Sequence, residues 1–265
     1  MKLSSGFANI LVQSNDAHAL ITLNRPDKLN PLDWATVKEL RTAVTALDAE
    51  PGLRTVAFIG AGRGFSAGGD LEKYIALFQN SMDFRAFMED FYGLFETMEA
   101  SAKIFIAAVN GICVAGGLEL LMACDLVIAS EDARIGDGHL NFGQLPGAGG
   151  SVRLWRAVGA VRAKQLMLTG EILSAREAAA WGLVGKVVPE GQLLDGLKDM
   201  VERLHQKTPV GLAGAKRLLN RAIRLDIDAA LRAEIAQVQN YAATESDAQE
   251  GLQAFRDKRK PRFAR

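Results

Sequence analysis

Asn110-Gly-Ile-Cys-Val-Ala-Gly-Gly-Leu-Glu119, taken together with the upstream Gly64-Phe-Ser-Ala-Gly-Gly-Asp70, decides the reading of this chain. Each segment follows an apolar, β-branched run and brings glycine to the point where a strand hands over to a helix. A helix N-terminus carries unpaired N–H groups and a partial positive charge, so it favours an anion. Glycine there lets a ligand approach without a Cβ in the way. If a helix begins at Gly116-Gly117, Glu119 lies three residues past Gly116 and on the same face. Gly68-Gly69 supplies a second donor. Two backbone N–H groups aimed at one developing negative charge, beside an acid or base, form a kit for stabilising an enolate. Each such donor is typically worth about 3–4 kcal/mol in a transition state. The spacing alone is met equally well by two tight-packing turns and a first-turn carboxylate placed for the helix dipole.

Outward from these segments, strand-like and helix-like stretches alternate. Leu20–Leu23 reads as a short strand ended by Asn24-Arg-Pro26. A helix follows, with Trp34, Val37, Leu40, Val44 and Leu47 on one face. Thr55–Ile59, Ile104–Val109 and Leu126–Ala129 read as buried strands, and Gly116 to Ala123 as a helix. One helical pattern spans Leu71 to Met98, with a stripe of Phe84, Phe87, Phe91, Phe95 and Met98, joined by Tyr74 and Phe78, at a spacing that suits core packing. Gly136 to Gly150 reads as a glycine-rich loop, and a short strand is expected near Lys186-Val-Val188. Near-continuous apolar strands separated by helices argue for an α/β fold with parallel pairing covered on both faces. From about residue 192 to 256 the pattern is almost wholly helical, which divides the chain into a core over 1–195 and a helical region over 196–265.

The chain has 265 residues, 49% hydrophobic and 23% charged, enough for a large core. Its formal net charge is zero, which gives no basic footprint for nucleic acid or an anionic membrane surface. The two cysteines, Cys113 and Cys124, lack metal-ligand spacing and read as buried thiols of a reducing compartment. No secretory or import segment and no membrane-spanning run is legible, so a cytoplasmic enzyme is expected.

Gly64-Phe-Ser-Ala-Gly68 also fits the nucleophile elbow of serine hydrolases. Ser66, however, stands seven residues past Ile59, and none of His18, His139 and His205 has the late-chain setting that chemistry needs. Gly60-Ala-Gly62 lacks the third glycine of a dinucleotide fingerprint, because Phe65 occupies its place.

The chain resembles the enoyl-CoA hydratase/isomerase (crotonase) superfamily from about Ala19 to Phe263. The matching motifs are Arg25-Pro-Asp-Lys-Leu-Asn30, Gly64–Asp70, Ala108–Gly111 through Gly116–Leu120, Cys124-Asp125, Leu145–Gly150, Leu168–Gly170, Ala180–Val184 and the ending from Glu250 to Phe263. The resemblance implies a spiral of ββα units with a C-terminal helical region that forms trimers or dimers of trimers. It also implies an acyl-CoA thioester substrate, with coenzyme A carried by the substrate and neither metal nor further cofactor. It maps the oxyanion-hole amides onto Gly69 and Gly116, within glycine pairs completed by Gly68 and Gly117, and the acid/base onto Glu119. It maps the coenzyme A contacts onto Lys28, Leu29 and the carbonyl of Ala67, onto Asp70 and Leu71, and onto Lys258 and Phe263 reaching from an adjoining subunit. A basic residue common two places after Asp70 is Glu72 here.

Hydratases of the superfamily use two glutamates, and the second position falls on His139. An imidazole with an unperturbed pKa of about 6.5 can donate or accept a proton near neutrality. Glu119 and His139 together therefore suit hydration of a 2-enoyl thioester, with Asp137 near enough in sequence to orient the histidine. The alternatives are His139 as a mere pocket lining, and another reaction of the superfamily: isomerisation, decarboxylation, or thioester or carbon–carbon hydrolysis. A non-catalytic member holding acyl-CoA or RNA is a further alternative, against which stand Glu119 and both glycine pairs.

Overall fold

The computed structural model describes residues 2–4, 6–15 and 17–263. The chain opens with β1 (Lys2–Ser4), β2 (Ile10–Ser14) and β3 (His18–Leu23), then α1 (Trp34–Asp48), β4 (Thr55–Gly60) and β5 (Gly64–Ser66). Two helices follow, α2 (Leu71–Leu77) and α3 (Ser81–Ala100), then β6 (Ile104–Val109), β7 (Ile112–Val114), α4 (Gly116–Ala123), β8 (Leu126–Ser130) and β9 (Arg134–Gly136). A 3₁₀ turn over His139–Phe142 leads to α5 (Gly150–Val158), α6 (Ala160–Thr169), β10 (Ile172–Ser174), α7 (Ala175–Trp181) and β11 (Lys186–Val188). The chain ends in α8 (Leu193–His205), α9 (Pro209–Ala222), α10 (Ile227–Thr244) and α11 (Ser246–Arg256).

The strands form two sheets. The larger runs β1-β2-β3-β4-β6-β8-β11, antiparallel across β1–β3 and parallel from β3 to β11; the smaller runs β10-β9-β7-β5. β4, β6 and β8 each lie in the large sheet and are followed at once by β5, β7 and β9 in the small one, then by a helix. The chain therefore winds as a spiral of ββα turns.

Side-chain alternation along the strands explains why the large sheet is covered on both faces. Val56, Phe58, Phe105, Ala107 and Val109 point into the main core with α1, α3 and α4, where the rings of Phe58 and Phe105 stack 6.2 Å apart. Ala57, Ile104, Ile106, Ala108 and Ile128 point the other way, against Leu193, Leu197 and Val201 of α8. The 195/196 division thus falls inside a helix that packs on the sheet.

The structure corrects the sequence reading in three places. The stretch from Leu71 to Met98 is two helices, because the Asn80 side chain accepts from the N–H groups of Met82 and Asp83 and caps a new helix. The strands of the small sheet, implied only in general by the ββα resemblance, are not locatable in the sequence pattern, since β5, β7, β9 and β10 have three residues each and show no period. The segment from Gly136 to Gly150 holds a strand end and a 3₁₀ turn as well as loop. Among the described residues no helix is long and apolar enough to cross a membrane.

Candidate active site

β5 and β7 are parallel neighbours in the small sheet, so the segments leaving their C-terminal ends lie side by side. From β5 the chain runs through Gly68-Gly69 into α2, and from β7 through Ala115 into α4. Gly68 has φ +88°, and a Cβ there would stand 2.7 Å from Ala115 Cβ and 2.9 Å from Gly116 N. Only glycine fits that approach. A Cβ on Gly116 would lie 3.7 Å from Gly69 N, so the two turns touch. Neither the Gly69 nor the Gly116 N–H has an acceptor among the described residues; the first amide of α4 with a helical partner is that of Glu119, bonded to Ala115 O at 3.0 Å.

Local geometry holds these amides in place. Ala115 takes φ 50° and ψ −121°, a region that costs a non-glycine residue about 1–3 kcal/mol. Its N–H is fixed by Asp137 O at 2.7 Å and Gly136 O at 3.3 Å. On the other side, Leu32 N donates to Gly68 O at 2.7 Å and Ala67 N to Leu29 O at 2.9 Å. Leu29 and Asn30 both adopt positive φ, and the Asn30 side chain ties this bend to Arg25 N, Ala61 O and Gly64 O. Arg25 bridges Asp33 at 2.8 Å and Asp70 at 3.1 Å, and Asp70 also caps α2 through Lys73 N. The Asp70 carboxylate therefore braces the turn.

Glu119 is buried on α4, a helix buried on nearly every side. Its Oε1 accepts the N–H groups of Ala148 at 2.9 Å and Gly150 at 2.8 Å, which leaves Oε2 to face His139 Nε2 at 3.9 Å. That distance is too long for a direct hydrogen bond and keeps both atoms available to one substrate. His139 Nδ1 lies 3.1 Å from Asp137 Oδ2. An ionised carboxylate only accepts, so Nδ1 carries the proton of that bond and Nε2 is turned to Glu119. Asp137 is itself buried, and its other oxygen accepts from His139 N.

Burial pushes the Glu119 carboxyl above the usual range, against the pull of the His139 charge and of the Gly150 and Ala148 amides; the Asp137 charge adds to the rise. Burial pulls His139 down, yet the bond to Asp137 and the charges of Asp137 and Glu119 outweigh it, and the net shift is upward. The pair thus holds a proton more firmly than either group would in water.

Gly117 follows Gly116 at the start of α4 and is buried, and Leu71 is the exposed first residue of α2. Lys28 lies on the neighbouring 3₁₀ turn and pairs with Glu72 at 2.8 Å, both side chains solvated. Lys258 and Phe263 lie beyond α11, with the tail folded back so that Arg259 and Arg262 N meet Glu250 and the Phe263 ring nears Gly251. Ser66 is buried, its Oγ accepts from Gly68 N and braces the turn, and among the described residues no histidine hydrogen-bonds it. Among the described residues no group of three or more His, Cys, Asp or Glu side chains could hold a metal ion.

Three contributors escaped the sequence reading. Ala148 and Gly150 act through backbone N–H groups, and their only signal is the glycine run of Leu145–Gly150. The ion-pair role of Arg25 had a signal in its place within the Arg25–Asn30 motif.

The model of the enoyl-CoA hydratase/isomerase family matches residues 13–265. A Rhizobium meliloti protein named "Probable enoyl-CoA hydratase" is 38% identical over 258 residues, covering 97% of this chain and 98% of that protein. The crotonyl-CoA hydratase of Syntrophomonas wolfei is 37% identical, covering 97% and 98%. The crystal structure of an enoyl-CoA hydratase from Bacillus anthracis superposes with a TM-score of 0.90 at 35% identity, covering 97% of this chain and 99% of that one. With its ββα spiral, paired glycine turns and buried glutamate, this chain belongs to the enoyl-CoA hydratase/isomerase family of the crotonase superfamily.

Proposed function

We propose that this enzyme adds water to the double bond of a 2-enoyl-CoA. The observation that carries the reading is the Glu119–His139 pair, two proton-transfer groups 3.9 Å apart, beside two glycine amides that have no acceptor among the described residues. The thioester oxygen sits between Gly69 N–H and Gly116 N–H. Glu119 Oε2 takes a proton from water as its oxygen bonds to Cβ, and the π electrons move onto the thioester oxygen as an enolate held by the amides. Protonated His139 then delivers its Nε2 proton to Cα. Glu119 leaves this step protonated and His139 neutral; passage of the proton from Oε2 to Nε2 restores both. Asp137 keeps Nδ1 engaged and the imidazole protonated until the enolate forms.

Coenzyme A is proposed to lie along Lys28, Leu29 and Leu71, with the adenine on the Ala67 carbonyl, which accepts no hydrogen bond within the described residues. Lys28 would exchange Glu72 for a phosphate. Residues 196–265 are proposed to assemble copies into a trimer or a dimer of trimers and to bring Lys258 and Phe263 to a neighbouring site. The reaction as written needs no metal or redox cofactor, and the two free thiols suit the cytoplasm.

Mass spectrometry of straight-chain, branched and cyclic enoyl-CoA esters, incubated with wild type and Glu119→Gln, tests this. Wild type gains one water on at least one ester and Glu119→Gln does not. If no ester gains water, hydration is wrong for these acyl classes, and decarboxylation and hydrolysis become the reactions to assay.

A further inference from the structure

We propose that the Tyr74 hydroxyl is a third hydrogen-bond donor to the thioester oxygen, beside the amides of Gly69 and Gly116; this rests on reading those amides as the oxyanion hole. Tyr74 stands on α2, one turn past the Gly68-Gly69 bend, with its N–H bonded to Asp70 O at 3.0 Å. Its phenol end lies over Gly69: a Cβ there would fall 2.4 Å from the hydroxyl oxygen and 2.5 Å from Cζ. Gly116 approaches the same residue, its missing Cβ 3.7 Å from Gly69 N. The Gly69 amide is thus flanked by its partner turn and by a phenol.

Three phenylalanines surround the tyrosine, with centroids at 5.7 Å for Phe78, 6.4 Å for Phe84 and 5.9 Å for Phe87. The hydroxyl is the one polar atom of these four rings, and it is the atom placed at Gly69. It has no hydrogen-bond partner among the described residues, and it is not one of the polar atoms sealed from solvent. A donor left free at a site wall is available to a ligand oxygen. Burial, with the charges of Glu119 and Asp70, pushes the phenol up to about 12, so it donates and does not act as a base. A thioester carbonyl has two in-plane lone pairs, already matched by two amides. A third donor gains most when charge builds on the oxygen, so its effect belongs to kcat more than to KM.

Acetoacetyl-CoA is a suitable probe, because its enolate absorbs in the ultraviolet and its formation on the enzyme can be followed against pH. Wild type should lower the midpoint of enolisation relative to the free thioester. Tyr74→Phe keeps the ring contacts, and should raise that midpoint by about one pH unit, a tenfold loss of enolate preference. Its kcat for hydration should fall roughly 10- to 100-fold with KM within about two-fold. If Tyr74→Phe matches wild type in both readouts, the proposal is overturned while the two-amide hole stands. A raised KM with unchanged kcat also overturns it, assigning Tyr74 to acyl-chain binding. If wild type itself fails to lower the midpoint, the oxyanion-hole reading fails first.

Discussion

At the scale of single residues, the mechanism proposed above puts the pH dependence under the Asp137–His139–Glu119 line. Glu119 must be ionised to accept from water, and its raised pKa puts the acid limb of kcat/KM above the ordinary carboxylate range. His139 must be protonated, and its raised pKa carries the alkaline limb above 6.5. The two limbs are macroscopic values of a coupled pair. Asp137→Asn removes the charge that lifts His139, so the alkaline limb moves to lower pH; an unmoved limb in the pH–rate profile would detach Asp137 from this role. His139→Gln lowers kcat by about 10²–10⁴-fold and abolishes that limb. The sequence pointed to Glu119 and the glycine pairs through residue type and spacing, and to His139 only through the family resemblance. Tyr74 was hidden in a helical stripe, because spacing cannot say that a ring end occupies the Cβ space of Gly69.

At the scale of elements, long strands and amphipathic helices were legible because their periods extend over many residues, while the three-residue strands of the small sheet are specified by pairing alone. The stripe from Phe84 to Met98 divides accordingly: Phe87, Phe91, Phe95 and Met98 are core, and Phe84 packs edge-on against Tyr74 and Phe78. The docking of α9 depends on a residue that drew no notice, Lys216. Its buried ammonium meets Met98 O at 2.6 Å, Lys103 O at 2.8 Å and Asp125 Oδ2 at 2.8 Å, so all three donors are used. Lys216→Met strands the Asp125 carboxylate and should cost about 3 kcal/mol in denaturant unfolding. A loss under about 1 kcal/mol would mean that α9 is held by its apolar contacts instead. α8 is tied differently: Thr55 Oγ1 lies 2.9 Å from His18 Nδ1 and 3.1 Å from His205 Nε2. Burial, and then the His205 charge, push His18 down to about 4, and burial and the Arg54 charge push His205 down. Both are held neutral in the fold, so their contribution is intact above pH 6.5 and is lost as pH falls from 6.5 toward 4. Thermal melts over that window should show Tm falling, and His18→Asn should flatten the fall.

For the whole molecule, Ile227, Leu231, Ile235 and Val238 make an apolar stripe along α10 that one chain leaves exposed, Ile227 at 76% and Ile235 at 68%. In the assembly proposed above, this face is the one covered by another copy. Light scattering should give three or six times the 28.5 kDa of one chain, and Ile235→Asp should lower that mass. A monomeric wild type would remove the assembly proposal. The strained turn at Ala115 has a different kind of consequence. Its N–H holds the loop bearing position 139 through the main-chain oxygens of Gly136 and Asp137, ties that involve no side chain. The scaffold is in that respect a socket: an exchange at 139 leaves these main-chain ties in place and changes only which proton-transfer group is presented opposite Glu119.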